Sequence, residues 1–124
     1  MKVILLIGTG GFIGSVARYL FAKYIQDTLL SSFPYGTFIV NITGCLLIGL
    51  FLGLTIKGTL LPPEWRLFFT VGFCGGFTTF STFSNESLAL LRDGELLYFF
   101  LYIALSVLIG LFAVYLGYII TKLV

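Results

Sequence analysis

Four long apolar runs divide the chain and predict its secondary structure. They cover about residues 3–25, 36–56, 67–91 and 96–121. Each run reaches the length of about 20 predominantly apolar residues that a helix needs to cross a bilayer. The links between the runs are short, so consecutive helices should be antiparallel neighbours. The pattern therefore predicts an all-α integral membrane protein in which four helices form one transmembrane domain.

The third run differs from a simple membrane anchor. Its uncharged stretch, residues 67–85, contains a segment, 72–84, that carries two adjacent glycines and five hydroxyl side chains among phenylalanines. Hydroxyls at membrane depth need hydrogen-bonding partners, and a pair of glycines favours a break in a helix. Backbone groups at such a break become free to bind ions. We therefore expect the third helix to break near Gly75-Gly76 and to line an ion pathway or binding site.

The side chains beyond this expected break predict the wall of such a pathway. Phe80 and Phe83 are three residues apart and share one helix face. Packing alone would explain two rings on one face, but the positive edges of aromatic rings, placed beside hydroxyl donors, would also suit a small anion. Glu86 follows at the membrane edge, either as a solvated charge at the end of a helix or as a hydrogen-bonded partner of Thr82. The other hydroxyl candidates for this wall are Thr79, Ser81 and Ser84.

Four polar residues outside the third run are further candidates, and two of them, Asn41 and Arg18, have a structural alternative. Asn41 lies inside the second helix, where its carboxamide could bond between helices or donate to an anion. Ser106 and Tyr102, one turn apart in the fourth helix, could extend the polar lining. Arg18, toward the end of the first helix, could reach the membrane interface or line a wet vestibule that concentrates anions.

Composition excludes several classes of function. Hydrophobic residues make up 59% of the chain and charged residues 10%, against about 25% charged residues in soluble domains. The net charge of +2 is small and scattered, so we expect no nucleic-acid partner. The chain has no histidine, the commonest general base, and we expect no enzymatic activity. Cys45 and Cys74 lie in apolar runs, and we interpret them as buried thiols rather than a disulfide or metal site.

The basic residues leave the orientation in the membrane undecided. The side that holds both termini carries four of them and the opposite side two or three: Lys2, Lys57, Arg66 and Lys122 against Lys23, Arg92 and, at one edge, Arg18. The positive-inside rule needs a clear excess of Lys and Arg on one side. The chain could therefore insert in both directions and pair with an inverted copy of itself. A single topology with a weak bias is the alternative.

Pairs of small residues four positions apart predict where helices pack closely. Gly10 and Gly14 lie in the first helix, and Gly49 and Gly53 lie in the second. Such spacing lets two helix backbones approach each other in a membrane. We interpret these glycines as packing residues that say little about function.

Three segments of this chain together resemble the Fluc (CrcB) family of small fluoride channels. They are residues 10–19, residues 36–49, and residues 72–84 followed by Glu86. Their order and spacing and the chain length also agree, so the resemblance covers essentially the whole chain. It implies a fluoride-selective channel in the bacterial inner membrane that passively exports fluoride. It also implies an antiparallel, dual-topology homodimer with two pores, surrounded by membrane lipid.

The resemblance further implies roles for individual residues. Phe80 and Phe83 are expected to face the ions, with Asn41 as a polar donor. Gly75 and Thr78 are expected to supply backbone carbonyls to a central sodium ion shared by both subunits. The remaining expected roles are the helix-four hydroxyl track for Ser106, the vestibule for Arg18, and a cluster at the pore end for Glu86 with Ser81 and Thr82.

A proton-coupled exporter of the small multidrug type is the alternative function. Such exporters have a similar size and dual topology, but they need a carboxylate embedded in the membrane. The first helix here has no Asp or Glu, and Glu86 is predicted near an edge of the membrane. We therefore expect passive fluoride conduction.

Overall fold

The computed structural model describes residues 1–56 and 62–123. Lys57, which we counted among the basic residues of one side, lies outside the described residues. Within the described part, four spans are long and apolar enough to cross a membrane, which confirms the predicted four-span helical protein. Three spans are single helices: α1 (Lys2–Leu29), α2 (Tyr35–Ile56) and α6 (Leu96–Leu123). The remaining span is divided into α3 (Pro63–Leu67), a π-helical segment (Phe68–Cys74), α4 (Gly75–Phe77) and α5 (Phe80–Arg92).

α1 extends beyond its apolar run. It ends at Leu29 rather than near residue 25, because the polar residues of its last turns are compatible with a helix. Lys23 and Asp27, four residues apart, form an ion pair of 3.2 Å on its exposed surface. Leu30 then adopts a left-handed conformation with φ of 43°, and its N–H donates to the carbonyl of Gln26. This cap ends the helix.

The side chain of Gln26 fixes the turn between α1 and α2. Its Nε2 donates to the carbonyl oxygens of Ser31 at 2.7 Å and Phe33 at 3.1 Å. Its Oε1 accepts from the N–H of Gly36 at 3.0 Å. A Cβ at Gly36 would overlap the backbone of Ala22, so glycine is needed for the close approach of α2 to α1. One glutamine thus satisfies three backbone groups of a turn near the membrane edge.

α1 packs against the third span through two facing pairs of glycines. A Cβ at Gly10 would lie 2.6 Å from a carbonyl oxygen of the third span, and Gly14 makes the same kind of contact one turn later. Conversely, a Cβ at Gly72 or Gly76 would lie 2.8 or 2.6 Å from carbonyl oxygens of α1. The predicted packing face of α1 is therefore confirmed. It packs against Gly72 and Gly76, two glycines of the third span that are also four residues apart.

The break in the third span lies beyond the position predicted. Gly75 is helical, with φ of −63° and ψ of −37°, and both glycines of the pair belong to α4. The chain leaves the helix at Thr78 (φ −88°, ψ 157°) and Thr79 (φ −150°, ψ 121°). The predicted break near Gly75-Gly76 is therefore present, but it begins two residues beyond the glycines. Gly76 is required for contact with α1, and the two extended threonines interrupt the helix.

α2 and α6 also pack at glycines. A Cβ at Gly49 would overlap the backbone carbonyl of Val114, and one at Gly53 would overlap the hydroxyl of Thr121. Gly117 of α6 makes the reciprocal close contact with the backbone of α2. These contacts confirm the predicted packing role of the second glycine pair.

Candidate functional site

A cavity of about 360 Å³ lies where α2, the broken third span and α6 meet. We call it the central cavity. It is open toward the surface of the chain, and its wall combines amide, hydroxyl, thiol, aromatic and aliphatic groups. The predicted site residues that line it are Asn41, Gly75, Thr78, Thr79, Phe80, Phe83 and Ser106. The structure thus brings together residues from three separate segments of the sequence.

Asn41 holds the broken backbone in place. Its Oδ1 accepts from the N–H of Thr79 at 2.8 Å, and its Nδ2 donates to the carbonyl of Thr79 at 3.0 Å. In a continuous helix the N–H of Thr79 would donate to the carbonyl of Gly75. Interhelical bonding, one of the two alternatives for this residue, is therefore present. Nδ2 carries two hydrogens, and Thr79 accepts one of them.

Thr79 also caps the helix that follows the break. Its Oγ1 accepts from the N–H of Thr82 at 3.1 Å, at the N-terminus of the 13-residue helix α5. In a continuous helix that N–H would donate to the carbonyl of Thr78. The N–H groups of Thr79 and Thr82 thus donate to side-chain oxygens instead of to the carbonyls of Gly75 and Thr78, the two predicted sodium ligands. The other N–H groups of the first turn of α5 point toward its N-terminal end, where the helix dipole favours an anion.

Phe80 and Phe83 form a pair of rings at the edge of the central cavity. Their ring centroids lie 5.8 Å apart, with a tilt of 45° between the ring planes. Phe83 packs on the ring of Tyr102 at 4.9 Å, so the interior of the protein holds it in place. Phe80, in contrast, is 79% exposed on a single chain. The predicted shared face is confirmed, and most of one ring is left for another surface to cover.

Tyr102 lies apart from the wall where we placed it. It is fully buried, and its hydroxyl donates to Oε1 of Glu86 at 3.1 Å. Ser106, one turn later in α6, does line the central cavity. Among the described residues, Glu86 is bonded to this tyrosine and not to Thr82. Tyr102 therefore joins α6 to α5 through this carboxylate.

The remaining hydroxyls of α5 lie near its first turn. Ser81 and Ser84 are exposed, and Thr82 is half-buried. The hydroxyl of Ser81 lies 3.4 Å from that of Thr79. These side chains continue from the capped end of α5 toward the surface of the chain, on the same helix as the phenyl pair.

Arg18 lies against the end of the first half of the third span. Its Nε donates to the carbonyl of Gly76 at 3.1 Å, across 58 residues of sequence. This carbonyl belongs to the last turn of α4, where the helix dipole favours a positive charge. The half-buried guanidinium thus contacts the break directly instead of only extending toward the membrane interface. The sequence signal for this contact was a basic residue within an apolar helix.

Two thiols line the central cavity, and sequence reasoning did not connect them with it. Cys74 is 1% exposed, which confirms the interpretation of a buried thiol, whereas Cys45 is half-buried. Both are free. Their presence in two apolar runs gave no sign that one cavity contains both.

Comparison with known proteins connects this geometry to a family. A family model described as CrcB-like protein, Camphor Resistance (CrcB), matches residues 5–118. A protein of Flavobacterium psychrophilum named fluoride-specific ion channel FluC is 50% identical over 122 residues, which cover 98% of each chain. Proteins of the same name from Chlorobaculum tepidum and Phocaeicola vulgatus are 51% and 53% identical, and the matches cover 99% and 94% of this chain. They cover 97% and 96% of those relatives.

Proposed function

This multi-pass membrane protein belongs to the CrcB-like family, and from that premise we propose that it is a fluoride-selective channel. In this function fluoride leaves the cell passively, and the cytoplasmic fluoride concentration falls. The observation that carries the proposal is the central cavity, where a helix N-terminus, a carboxamide and a phenyl pair meet. Its described lining residues include no carboxylate and no basic side chain. Such a wall attracts an anion without giving it a full counter-charge.

The donors around the central cavity suit a small, strongly hydrated anion. Asn41 has a second N–H on Nδ2, and Ser106 lines the same cavity. Hydroxyl and amide donors can replace part of a hydration shell. The edges of Phe80 and Phe83 add a weak positive potential. Weak sites spread along a path allow an ion both to enter and to leave, as conduction requires.

An antiparallel homodimer would complete the pathway. On a single chain the central cavity is open and Phe80 is 79% exposed. A second, inverted copy placed over this face would cover the ring and close the cavity from the lipid. The near balance of basic residues between the two sides of the membrane supports insertion in both orientations. Each copy would then contribute part of the wall of each of two pores.

A sodium ion at the centre of this dimer fits the backbone at the break. The carbonyls of Gly75 and Thr78 have lost their usual helical partners, and Gly75 is exposed on a single chain. Among the described residues no cluster of His, Cys, Asp or Glu could hold a metal, so neutral oxygens would be the ligands. Carbonyl oxygens at the end of a half-helix suit sodium. When bound, the ion would supply a positive charge that holds two copies of the break together.

The remaining polar residues would serve the ends of the pathway. Arg18 would add positive potential near the break, where it already contacts the carbonyl of Gly76. Glu86, positioned by Tyr102, would lie beside the exit from the central cavity. The hydroxyls that would continue the path toward water are those of the exposed Ser81 and Ser84 and the half-buried Thr82.

Halide-resolved efflux from liposomes tests the proposed function. Purified protein is reconstituted into vesicles loaded with fluoride or chloride, and ion-selective electrodes follow each halide. Fluoride vesicles should empty quickly and chloride vesicles should not. Equal efflux of the two halides would refute selectivity. Efflux that requires a proton gradient would instead favour the proton-coupled exporter.

Substitution of the phenyl pair tests the site. Phe80→Ile and Phe83→Ile should each reduce fluoride efflux, because an aliphatic side chain has no positive edge to present to the anion. Phe112→Ile is the matched control, since Phe112 is 62% exposed on α6 and does not line the central cavity. Unchanged efflux in both cavity variants would remove the rings from the mechanism.

A further inference from the structure

The proposed function makes no use of two thiols in the wall of the central cavity. Cys45 is contributed by α2 and Cys74 by the π-helical segment, and both line the cavity. They are the two cysteines of the chain, and both are free. The backbone brings them close, because Gly44, beside Cys45, packs against the side chain of Thr78, whose hydroxyl donates to the carbonyl of Cys74 at 2.9 Å. Nucleophilic groups from two different spans thus meet at one place.

The thiols and their surroundings favour the binding of a soft metal ion. The wall beside them is largely aliphatic, with Ile42, Ile48 and Val107 among the lining residues. Sulfur ligands select soft, thiophilic metals, whereas carbonyl and hydroxyl oxygens select hard cations such as sodium. A neutral species such as mercuric chloride could enter this apolar region without the cost of desolvating an ion. The cavity volume of about 360 Å³ leaves room for it.

We propose that Cys45 and Cys74 form a two-thiol binding site for soft metal ions such as mercuric ion. Both sulfurs bind one metal, and the bound metal closes the fluoride pathway. With mercuric chloride, two S–Hg bonds form and two Hg–Cl bonds break. Two chloride ions leave, the two thiol protons pass to the buffer, and no group is oxidised or reduced. The block rests on the proposed function, whereas the binding does not.

Metal binding is tested on purified protein in detergent. Mercuric chloride is added stepwise, and bound mercury and remaining free thiols are counted after denaturation. We expect one mercury per chain, with both thiols consumed. Two mercury ions per chain, or a free thiol remaining at one equivalent, would overturn the shared site. Chains cross-linked through mercury on a denaturing gel would also overturn it, since the metal would then join two copies.

Cysteine variants test whether both thiols bind the same metal. Cys45→Ala and Cys74→Ala should each lower the affinity for mercury by about 100-fold or more in competition with glutathione, because the second bond is intramolecular in the native site. The double variant should bind none. Full affinity in either single variant would contradict the proposal. Cys74 is buried, so Cys74→Ser, which nearly preserves side-chain volume, replaces Cys74→Ala if the alanine variant fails to fold.

Fluoride efflux tests the block separately. One equivalent of mercuric chloride should stop fluoride efflux from wild-type vesicles, and excess dithiothreitol should restore it. The double variant, compared with its own untreated rate, should be insensitive to mercury. Unchanged wild-type efflux with the site filled would overturn the block. Wild-type protein that conducts no fluoride before mercury is added would refute the proposed function, and the binding measurements would still decide the site.

Discussion

Asn41→Ala should weaken the structure and the transport activity together. The side chain makes two hydrogen bonds to the backbone of Thr79, 2.8 Å from Oδ1 and 3.0 Å from Nδ2. Alanine removes both and leaves the N–H and C=O of Thr79 without these partners. The N–H of Thr79 can then return to the carbonyl of Gly75, as in a continuous helix. The break would then lose the interaction that holds it open. The carbonyl of Gly75 would no longer be available to bind a cation.

The size of the effect follows from the two lost bonds. A net hydrogen bond contributes about 1 kcal/mol in mutational series, and bonds between membrane helices average about 0.6 kcal/mol. Losing two should therefore lower the free energy of unfolding by about 1–2 kcal/mol. At about 1.4 kcal/mol per factor of ten, the folding equilibrium should shift by about 5- to 30-fold.

Two measurements on the same preparation check this prediction. Equilibrium unfolding in denaturing detergent gives the stability, and fluoride efflux from liposomes gives the activity. Thr55→Ala is the matched control, because Thr55 is also in α2 but donates to the carbonyl of Phe51 in its own helix, at 2.9 Å. Its stability should stay within about 0.5 kcal/mol of wild type.

Specific outcomes would refute the reasoning. If Asn41→Ala has the stability and the efflux of wild type, Asn41 does not hold the break. If efflux is lost while stability is unchanged, the carboxamide acts only as a donor to the anion. Asn41→Asp separates these roles further: one oxygen can still accept from Thr79, but the other faces a carbonyl and adds negative charge. It should therefore stop fluoride efflux.

Three further predictions concern contacts around the site. Gly14→Ala places a Cβ against a backbone carbonyl of the third span. It should lower the free energy of unfolding, measured by thermal unfolding, by about 1–3 kcal/mol. Gly8→Ala, whose Cβ would meet nothing within 4 Å, should be neutral or stabilising, and equal losses would contradict the packing argument. Arg18→Leu removes the donor to the carbonyl of Gly76, and it should lower the free energy of unfolding by about 1–3 kcal/mol and slow fluoride efflux. Wild-type values for both would show that this contact is dispensable. Tyr102→Phe keeps the buried ring but removes the hydrogen bond to Glu86, and it should lower the free energy of thermal unfolding by about 1–3 kcal/mol. An unchanged free energy would mean that this bond makes no net contribution to stability.

Local patterns in the sequence were enough to predict the spans and much of the packing. The length of each apolar run predicted four crossings, and the four-residue glycine spacing of α1 predicted its close contact. Both signals depend on helix periodicity, which is a local property. The shared face of Phe80 and Phe83 followed from the same periodicity, and their rings are in contact. The roles of these residues in ion conduction stay predictions.

The position of the break was decided by the tertiary structure. Gly75 and Gly76 have the local signature of a helix breaker, yet both are helical because the backbone of α1 packs against Gly76. Thr78 and Thr79 are extended instead, and Asn41 binds Thr79 from 38 residues away. The spacing within a span can predict that it packs closely, but it cannot tell which residue of another span bonds to its backbone.

The sequence by itself determined a four-span membrane protein with close-packed helices and a donor-rich third span. The tertiary structure alone decided which side chains meet the freed backbone: Asn41 at Thr79, and Arg18 at Gly76. It also placed Cys45 and Cys74 in one cavity wall. The physical reason is that a broken backbone must find hydrogen-bonding partners within a membrane, and in this chain the partners come from other helices.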